Sequence, residues 1–228
     1  MKSKIILTTV LAALCGMARA DTPSDIVYID FGGHWSVPSS YGAAYGTAGS
    51  WNTITAASTL NLTNHAGLAT AVDLQISSSG TLNQDGWTTA VTQDGLKQLV
   101  GDNFYVNPSA SWTVSLSSLS SGTYDVYVYA PANLNIEGTR NFTVNGTAVS
   151  SIRGSTNNSL IEGVNYAKVQ NITVSSGILT LNSPADGSNS GGLAGIQVVQ
   201  ISAIPEPSTY AMIGAGALGL LALRRRRA

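Results

Sequence analysis

The chain has 228 residues, of which 43% are hydrophobic and 10% are charged, and its formal net charge is −1. Between residues 21 and 203, four basic residues stand against eleven acidic ones. This balance excludes nucleic acid as a partner, because affinity for phosphates is supplied largely by Lys and Arg. Apolar residues occur along the whole chain, which excludes disorder by composition. The two ends differ in composition from the middle, so we divide the chain into 1–20, 21–203 and 204–228.

The first segment has the composition of a secretion signal. Lys2 and Lys4 form a basic start, Ile5–Leu14 is almost wholly apolar, and Ala18–Ala20 places small residues where signal peptidase cuts. About ten apolar residues rise only ~15 Å as a helix, too short to span a ~30 Å hydrocarbon core. We therefore expect signal peptidase to cleave after Ala20. Cys15, the only cysteine, is removed with this signal peptide, so we expect no disulfide and no thiolate metal site in the mature protein.

The middle segment is dominated by alternating apolar and polar residues, bounded by clusters of Gly, Asn, Asp, Ser and Pro, and this pattern predicts strands. One modest helix is predicted at Asp94–Val100. The predicted strands are Ile26–Phe31, Leu68–Ser77, Trp112–Leu116, Tyr124–Ala130, Phe142–Val144, Thr147–Val149, Ala167–Val174, Ile178–Leu181 and Leu193–Ile201. Eight or nine short strands predict an all-β fold over residues 21–203, an antiparallel β-sandwich of the jelly-roll type.

Two turns in this segment predict hairpins. Asn145-Gly146 predicts a type I′ turn, because both central positions of that turn need a positive φ. Ser175–Gly177 predicts a second hairpin between the strands on either side of it. Within the strand at Tyr124–Ala130, alternation places Asp125, Tyr127 and Tyr129 on the face opposite to Tyr124, Val126 and Val128.

The second half of the body resembles the galactose-binding-like jelly rolls, which include many carbohydrate-binding modules. The resemblance lies in strand and turn positions, at Leu119–Tyr129, Phe142–Gly146, Tyr166, Val174–Leu181 and Gly195–Val198. It implies the sandwich fold more than a particular ligand.

Aromatic residues cluster in and beside residues 32–50, a Gly-, Ser- and Ala-rich stretch without a strand pattern. Exposed aromatic rings on loops are a common platform for stacking sugar rings, and nearby carboxamides and carboxylates bind sugar hydroxyls. The alternative is that these rings fold back over the ends of the sandwich, while Trp112 belongs to the core. The candidate sugar-binding residues are Trp35, Trp51, Trp87, Tyr41, Tyr45 and Asp85.

Catalytic and metal signals are weak. The sequence has no G-x-S-x-G, H-E-x-x-H or P-loop motif, and only His34 and His65 offer imidazole bases, so we expect no enzyme and no catalytic residue. Oxygen-rich turns at Asp85 and Asp186 are candidates for structural calcium. Asp-Gly is also a turn dipeptide that needs no metal, and we favour that interpretation and expect no other cofactor.

The last segment has three parts in a fixed order. Pro205-Glu206-Pro207 is followed by Ser208 and Thr209, by an uncharged and mostly apolar stretch at 210–223, and by the arginines Arg224, Arg225, Arg226 and Arg227. The apolar stretch predicts a transmembrane helix of about 21 Å, shorter than a full span. The arginines keep the C-terminus cytoplasmic, so the body lies outside.

This tail resembles the PEP-CTERM sorting signal of Gram-negative bacteria. The resemblance implies transient recognition by an exosortase near Pro205–Thr209, with a membrane anchor before processing and a cell-surface or extracellular-matrix location afterwards. Proteins of this type are associated with exopolysaccharide and biofilm.

We therefore expect a secreted, exosortase-sorted surface protein that binds polysaccharide. A structural biofilm matrix protein without a defined ligand is the alternative, and a secreted hydrolase is the third hypothesis.

Overall fold

A computed structural model of the chain describes residues 26–43, 45–86, 95–131, 139–153, 159–187 and 190–203. Several sequence predictions lie outside these residues: the signal peptide, Trp87, and the whole tail with Pro205–Thr209, the helix at 210–223 and Arg224–Arg227. Within the described part, no helix has the length and apolar character needed to cross a membrane.

The described residues form fourteen strands and one short helix, which confirms the predicted all-β class. The helix, α1 (Gly95–Gly101), lies where a helix was predicted. In chain order the strands are β1 (Ile26–Phe31), β2 (Trp51–Ile54), β3 (Ser58–Thr59), β4 (Asp73–Ser78), β5 (Asn83–Gly86), β6 (Asp102–Val106), β7 (Trp112–Ser117), β8 (Gly122–Tyr129), β9 (Phe142–Val144), β10 (Thr147–Val149), β11 (Tyr166–Val174), β12 (Leu179–Ser183), β13 (Gly191–Leu193) and β14 (Gly195–Ala203).

Three sheets are formed. The first has the order β11-β8-β14-β1-β2, the second β10-β9-β12-β7-β4-β3, and the third β13-β6-β5. Every strand pair is antiparallel except β1 with β2, which are parallel. The predicted antiparallel sandwich is thus confirmed, with one parallel pair at the edge of the first sheet.

The core fills the space between the first and second sheets. Alternate residues of β8 and β14, among them Val126, Val128, Ile196 and Val198, are 0% exposed and form what we call the inner face of the first sheet. They pack with the apolar side chains of the second sheet, such as Val114. Each such side chain stabilises the fold by roughly 1.5–3 kcal/mol through burial.

One end of the core is aromatic. The Phe104 ring on β6 makes edge contacts with Phe31 and Trp112, at centroid distances of 5.1 and 5.4 Å. Trp112 is 1% exposed, as its predicted place in the core requires.

The predicted hairpin at Asn145-Gly146 is confirmed. β9 pairs with β10, and the two turn residues have φ of 45° and 82°. The second predicted hairpin is wrong: the turn at 175–177 carries the chain from β11 in the first sheet to β12 in the second. β12 is paired on both sides by β7 and β9, so no edge is left for β11.

Three further sequence predictions need correction, two of strands and one of a turn. The strand predicted from Leu68 begins only at Asp73, because the preceding residues fold back on Leu62, which donates to the Val72 carbonyl and accepts from the Thr70 amide. The strand predicted at Leu193–Ile201 is divided at Ala194 between β13 and β14. The oxygen-rich turn predicted around Asp85 is strand β5, which pairs with β6.

Candidate functional site

The outer face of the first sheet, opposite the core, is aromatic and polar. Strand register aligns one row of residues across all five strands: Trp51, Tyr28, Gln197, Tyr127 and Lys168. The adjacent row is Thr53, Asp30, Gly195, Tyr129 and Tyr166. We call the rings of Tyr28, Trp51, Tyr127, Tyr129 and Tyr166 the aromatic face.

The rings of the aromatic face contact one another in series. Centroid distances are 5.1 Å between Tyr28 and Trp51 and 6.3 Å between Trp51 and Tyr129. Tyr129 lies 6.0 Å from Tyr166, which lies 6.3 Å from Tyr127. The predicted grouping of Tyr127 and Tyr129 on one side of β8 is confirmed, and the fold extends that side across the whole sheet.

At one end, which we call the loop end, residues from the 32–50 stretch pack over the sheet. Tyr41 and Tyr45 are half-buried against the buried cluster that contains Tyr28, and Tyr41 also packs on Leu96 and Val100 of α1. The Tyr28 ring also lies 6.5 Å from Tyr45 and 6.2 Å from the His65 imidazole. Burial, followed by the neighbouring Tyr45, holds the pKa of the Tyr28 hydroxyl well above its ordinary value. The hydroxyl is therefore a permanent donor and donates to the Thr47 carbonyl at 3.1 Å.

A buried glutamine ties this loop to the sheet. The Gln197 side chain is 0% exposed, and its Oε1 accepts from the Tyr129 hydroxyl and, at 3.3 Å, from the Tyr45 amide. Buried carboxamides of this kind fix orientation because leaving them unpaired is unfavourable. Gln197 thus positions both the loop and the central ring of the aromatic face.

Close backbone approaches fix the cover of the loop end. A Cβ at Gly195 would lie 2.7 Å from Leu99 Cδ1, so α1 packs directly on the sheet there. A Cβ at Gly95 would lie 2.3 Å from the Tyr41 ring. Only glycine allows these two contacts, and together they hold α1 and Tyr41 over the loop end.

At the other end, which we call the strand end, Tyr127, Tyr166 and Lys168 lie on β8 and β11 at the sheet edge. Tyr166 and Lys168 are half-buried, and the two tyrosine rings are inclined by 35° to each other. Lys168 Nζ lies 5.3 Å from the Tyr127 ring centroid and 2.9 Å from Asp125 Oδ2. The hydrogen bond to Asp125 raises the pKa of the Lys168 amine, so the amine is charged at neutral pH.

Asp125 organises the strand end through both carboxylate oxygens. While Oδ2 binds Lys168, Oδ1 accepts from the Asn171 amide at 3.1 Å. Asn171 has φ 58° and lies where the β11–β8 register shifts between Val169 and Ile172. Asp125 therefore stabilises this bulge as well as the position of Lys168.

A rigid turn leads into Tyr166. The Asn165 side chain is 0% exposed; its Oδ1 accepts from the Ile161 amide at 2.7 Å and its Nδ2 donates to the Ser159 carbonyl at 2.8 Å. This turn leaves Ile161 and Val164 exposed beside the Tyr166 ring. Burial, and then the nearby Glu162 carboxylate, raise the pKa of the Tyr166 hydroxyl.

The sequence-predicted sugar-binding residues are only partly brought together. Trp51, Tyr41 and Tyr45 meet at the loop end, whereas Trp35 is half-buried elsewhere, with its amide 2.6 Å from Asp102 Oδ2. Trp51 lies on a strand rather than on a loop. The carboxamide of the adjacent Asn52 is used within the fold: Nδ2 donates to the Tyr28 and Thr63 carbonyls, and Oδ1 accepts from the Thr63 amide.

The predicted metal and histidine positions show no assembled centre. Among the residues that the structure describes, no three His, Cys, Asp or Glu side chains are placed to hold a metal ion. Asp186 is exposed. Burial lowers the pKa of Arg140, and the Asp186 carboxylate acts against that shift. Within the same residues, neither the His34 nor the His65 imidazole forms a hydrogen bond to a serine or an acid, and His65 packs on Tyr28. Calcium at Asp85 or Asp186 stays a prediction.

Comparison with protein families gives one match, in the tail. Residues 203–227 match the PEP-CTERM protein-sorting motif. The chain carries this sorting motif. The resemblance predicted from Pro205–Thr209 and the arginines is confirmed, and the motif identifies an exported, exosortase-sorted protein whose tail is anchored in the membrane before processing. No curated protein matches the chain.

Solved structures with a similar fold are distant. The ANXUR2 extracellular domain from Arabidopsis thaliana has 15% identity and TM-score 0.45, covering 78% of this chain and 49% of that one. Protein YxiM from Bacillus subtilis has 13% identity and TM-score 0.43, covering 78% and 40%. A family 35 carbohydrate-binding module from an environmental isolate has 18% identity and TM-score 0.30, covering 57% and 89%. The present chain therefore spans less than half of the length of the ANXUR2 domain and of YxiM.

Sequence reasoning missed the strand end. Alternation in the sequence assigns Tyr127 to the correct face, but Tyr166 is included only in the jelly-roll resemblance and Lys168 only in the strand predicted at Ala167–Val174. The available signal was the alternation of Tyr166 and Lys168 at the start of β11, which places both on one face.

Proposed function

We propose that the exported PEP-CTERM protein binds polysaccharide at the strand end of the aromatic face, without catalysing a reaction. The observation that carries the proposal is the half-buried Tyr166 ring, which lies at 35° to the buried Tyr127 ring beside the Lys168–Asp125 ion pair. Aromatic rings supply apolar area for the faces of sugar rings, and adjacent charged groups bind the hydroxyls.

The position of this surface supports the proposal. α1 and the 37–45 stretch cover the loop end, and α1 also packs with Leu160 in the turn before Tyr166. Tyr166 and Lys168 on β11 remain half-buried at the edge of the sheet. An edge position admits a long polymer, which would extend beyond the protein on both sides. The turn at 159–165 and the Asp125 contacts hold the Tyr166 and Lys168 side chains in place before binding. Binding therefore costs little conformational entropy in these side chains.

The charges at the strand end favour neutral saccharides over polyuronates. The Lys168 charge is already paired with Asp125, and Glu162 adds a carboxylate beside Tyr166. The body as a whole is acidic, with four basic and eleven acidic residues between 21 and 203. An anionic polymer would meet unpaired negative charge at this surface.

A second site for the same function is the loop end, where the sequence analysis placed it. Trp51 and Tyr45 are half-buried there and retain some exposed surface. The extent of their packing against Tyr28 also favours the alternative role, a structural matrix protein in which these rings only stabilise the fold. Separate substitutions at the two ends distinguish these possibilities.

The test is a binding isotherm of the full chain, purified in detergent, with soluble neutral glucans and galactans and with alginate as the polyuronate. We expect Tyr166→Ala to weaken binding of a neutral polymer by about tenfold, which corresponds to about 1.4 kcal/mol. Tyr105→Ala is the matched control, because Tyr105 is a half-buried tyrosine on the third sheet.

The outcomes separate the sites. If Trp51→Ala weakens binding of the polymer and Tyr166→Ala does not, the binding site is at the loop end. If the wild-type chain binds none of the polymers, the structural role replaces polysaccharide binding.

A further inference from the structure

Two carboxylates with no exposed surface lie next to each other under the segment 32–37. Asp30 belongs to β1 and Asp102 begins β6, and both are 0% exposed. Burying one ionised carboxylate is unfavourable, and burying two that interact is more so, unless one of them carries a proton.

Asp102 holds the backbone of the segment above it. Its Oδ2 accepts from the His34 amide at 2.8 Å and from the Trp35 amide at 2.6 Å. Two amide donors on one oxygen favour the ionised form of a carboxyl over its protonated form. Gly32 packs directly on Asp102, since a Cβ at Gly32 would lie 2.2 Å from the Asp102 Cβ. The chain therefore turns tightly around this carboxylate.

Asp30 is the member of the pair whose protonated form is favoured. Burial, and then the Asp102 charge, hold its pKa well above the ordinary value, while the Val37 amide and the Thr53 side chain act in the opposite direction. Its neighbours in the sheet are Thr53 on β2 and Gly195 on β14, neither of which is charged. Among the described residues, Asp102 is the only charged group that acts on Asp30.

We propose that Asp30 and Asp102 form a carboxyl clasp that holds segment 32–37 on the sheet while one proton is present and loosens that segment when the proton is lost. Loss of the proton places two negative charges under the segment. The Asp102 bonds to His34 and Trp35 then no longer offset the repulsion. Because Val37 ends this segment and Tyr41 and Tyr45 follow it over the sheet, the clasp sets how firmly that cover is held.

The direction of the pH dependence follows from the raised pKa of Asp30. The folded protein keeps this proton above about pH 4, where an unfolded aspartate loses it. The contribution to stability is therefore complete below about pH 4 and disappears as the pH rises through the folded-state pKa. Within that range, the folding equilibrium constant falls by up to about tenfold for each pH unit.

The test measures unfolding of the full chain in detergent from pH 4 to pH 9, together with hydrogen exchange at the His34 and Trp35 amides. Wild-type protein should lose stability with rising pH, and the protection of both amides should fall faster than the intrinsic exchange rate explains. Asp30→Asn keeps the shape of the side chain and cannot ionise. Its stability should therefore depend less on pH, by about one proton bound on folding, and the His34 and Trp35 amides should stay protected at high pH. Asp73→Asn is the control, because Asp73 is a half-buried aspartate on β4.

Two results would overturn the proposal. One is an identical pH dependence for wild type and Asp30→Asn. The other is stabilisation of wild type, but not of Asp30→Asn, by millimolar calcium at high pH, which would make the pair a cation site. If Asp30→Asn does not fold, the Asp30 carboxyl resonance of the wild-type chain can be titrated directly by carbon NMR. Titration at the ordinary aspartate pKa would then contradict the clasp.

Discussion

The two faces of the first sheet are built from the same strands and differ in nearly every property. On β8, Val126 and Val128 point into the apolar core, whereas Tyr127 and Tyr129 lie on the outer face beside the polar side chains of Lys168 and Gln197. The inner face contacts the rest of the core through apolar packing. The outer face adds hydrogen bonds, an ion pair and edge exposure, as at Lys168. The difference indicates that the inner face stabilises the sandwich. On the outer face Tyr28, Tyr127 and Tyr129 are also buried, and half-buried Tyr166 keeps surface for the recognition that we propose.

Trp112, in the core on β7, and Trp51, on the outer face of the first sheet, give the largest expected contrast. Trp112→Ala should lower the free energy of unfolding by about 3–5 kcal/mol, because it empties a site that is 1% exposed. Trp51→Ala should lower it by about 1–2 kcal/mol, since Trp51 is half-buried. Urea denaturation measures both. Equal losses would contradict the assignment of the two faces to different roles.

Backbone contacts beneath the outer face give the next effect. Gly32→Ala should destabilise the protein by about 3 kcal/mol, because the new Cβ would overlap Asp102 and φ is 151°. Gly146→Ala, at φ 82° with no atom within 4 Å, should show only backbone strain of about 1–2 kcal/mol. Thermal unfolding of the two variants distinguishes crowding from strain, and a milder effect at Gly32 would argue against the tight turn around Asp102.

A smaller effect is expected for Asp125→Asn. It removes the partner of Lys168 and weakens the bond to the Asn171 amide, and because the pair is partly exposed we expect a loss of about 1 kcal/mol. Lys168→Gln removes the ion pair and the contact with the Tyr127 ring but keeps the Asp125 bond to the Asn171 amide, and should destabilise the protein less. Denaturation at low and high salt checks this, since the ion-pair part should decrease with salt. An Asp125→Asn effect no larger than that of Lys168→Gln would mean that the bulge contact is unimportant.

The smallest expected effect on stability accompanies the largest effect on binding. Tyr166→Ala should lower the free energy of unfolding by about 1 kcal/mol, because the ring is half-buried at a sheet edge. The same variant should lose polysaccharide affinity. A large loss of stability at Tyr166 would assign that ring to the structural role instead.

Local sequence predicted the alternation within strands but not how the strands are arranged. The pattern from Tyr124 to Ala130 assigned Tyr127 to the correct face, because alternation is fixed by backbone geometry. That Trp51 and Tyr28 share its row follows from the strand order β11-β8-β14-β1-β2, which no local pattern encodes.

The error at Ser175–Gly177 has the same origin. A short turn between two apolar strands has the same local sequence in a hairpin and in a crossing between sheets. The choice depends on which edges are free, and β12 has none. The tail was different, since a sorting motif is read as sequence and its match at residues 203–227 needs no fold.

The most direct test of the outer-face account is a hydrogen-exchange footprint of the full chain with and without a bound neutral polysaccharide. We predict slower exchange at the turn 159–165 and along the adjoining part of β11, with no change on the second sheet. Protection confined to the second sheet, or no protection under conditions where the polymer is bound, would contradict a polysaccharide site at the strand end.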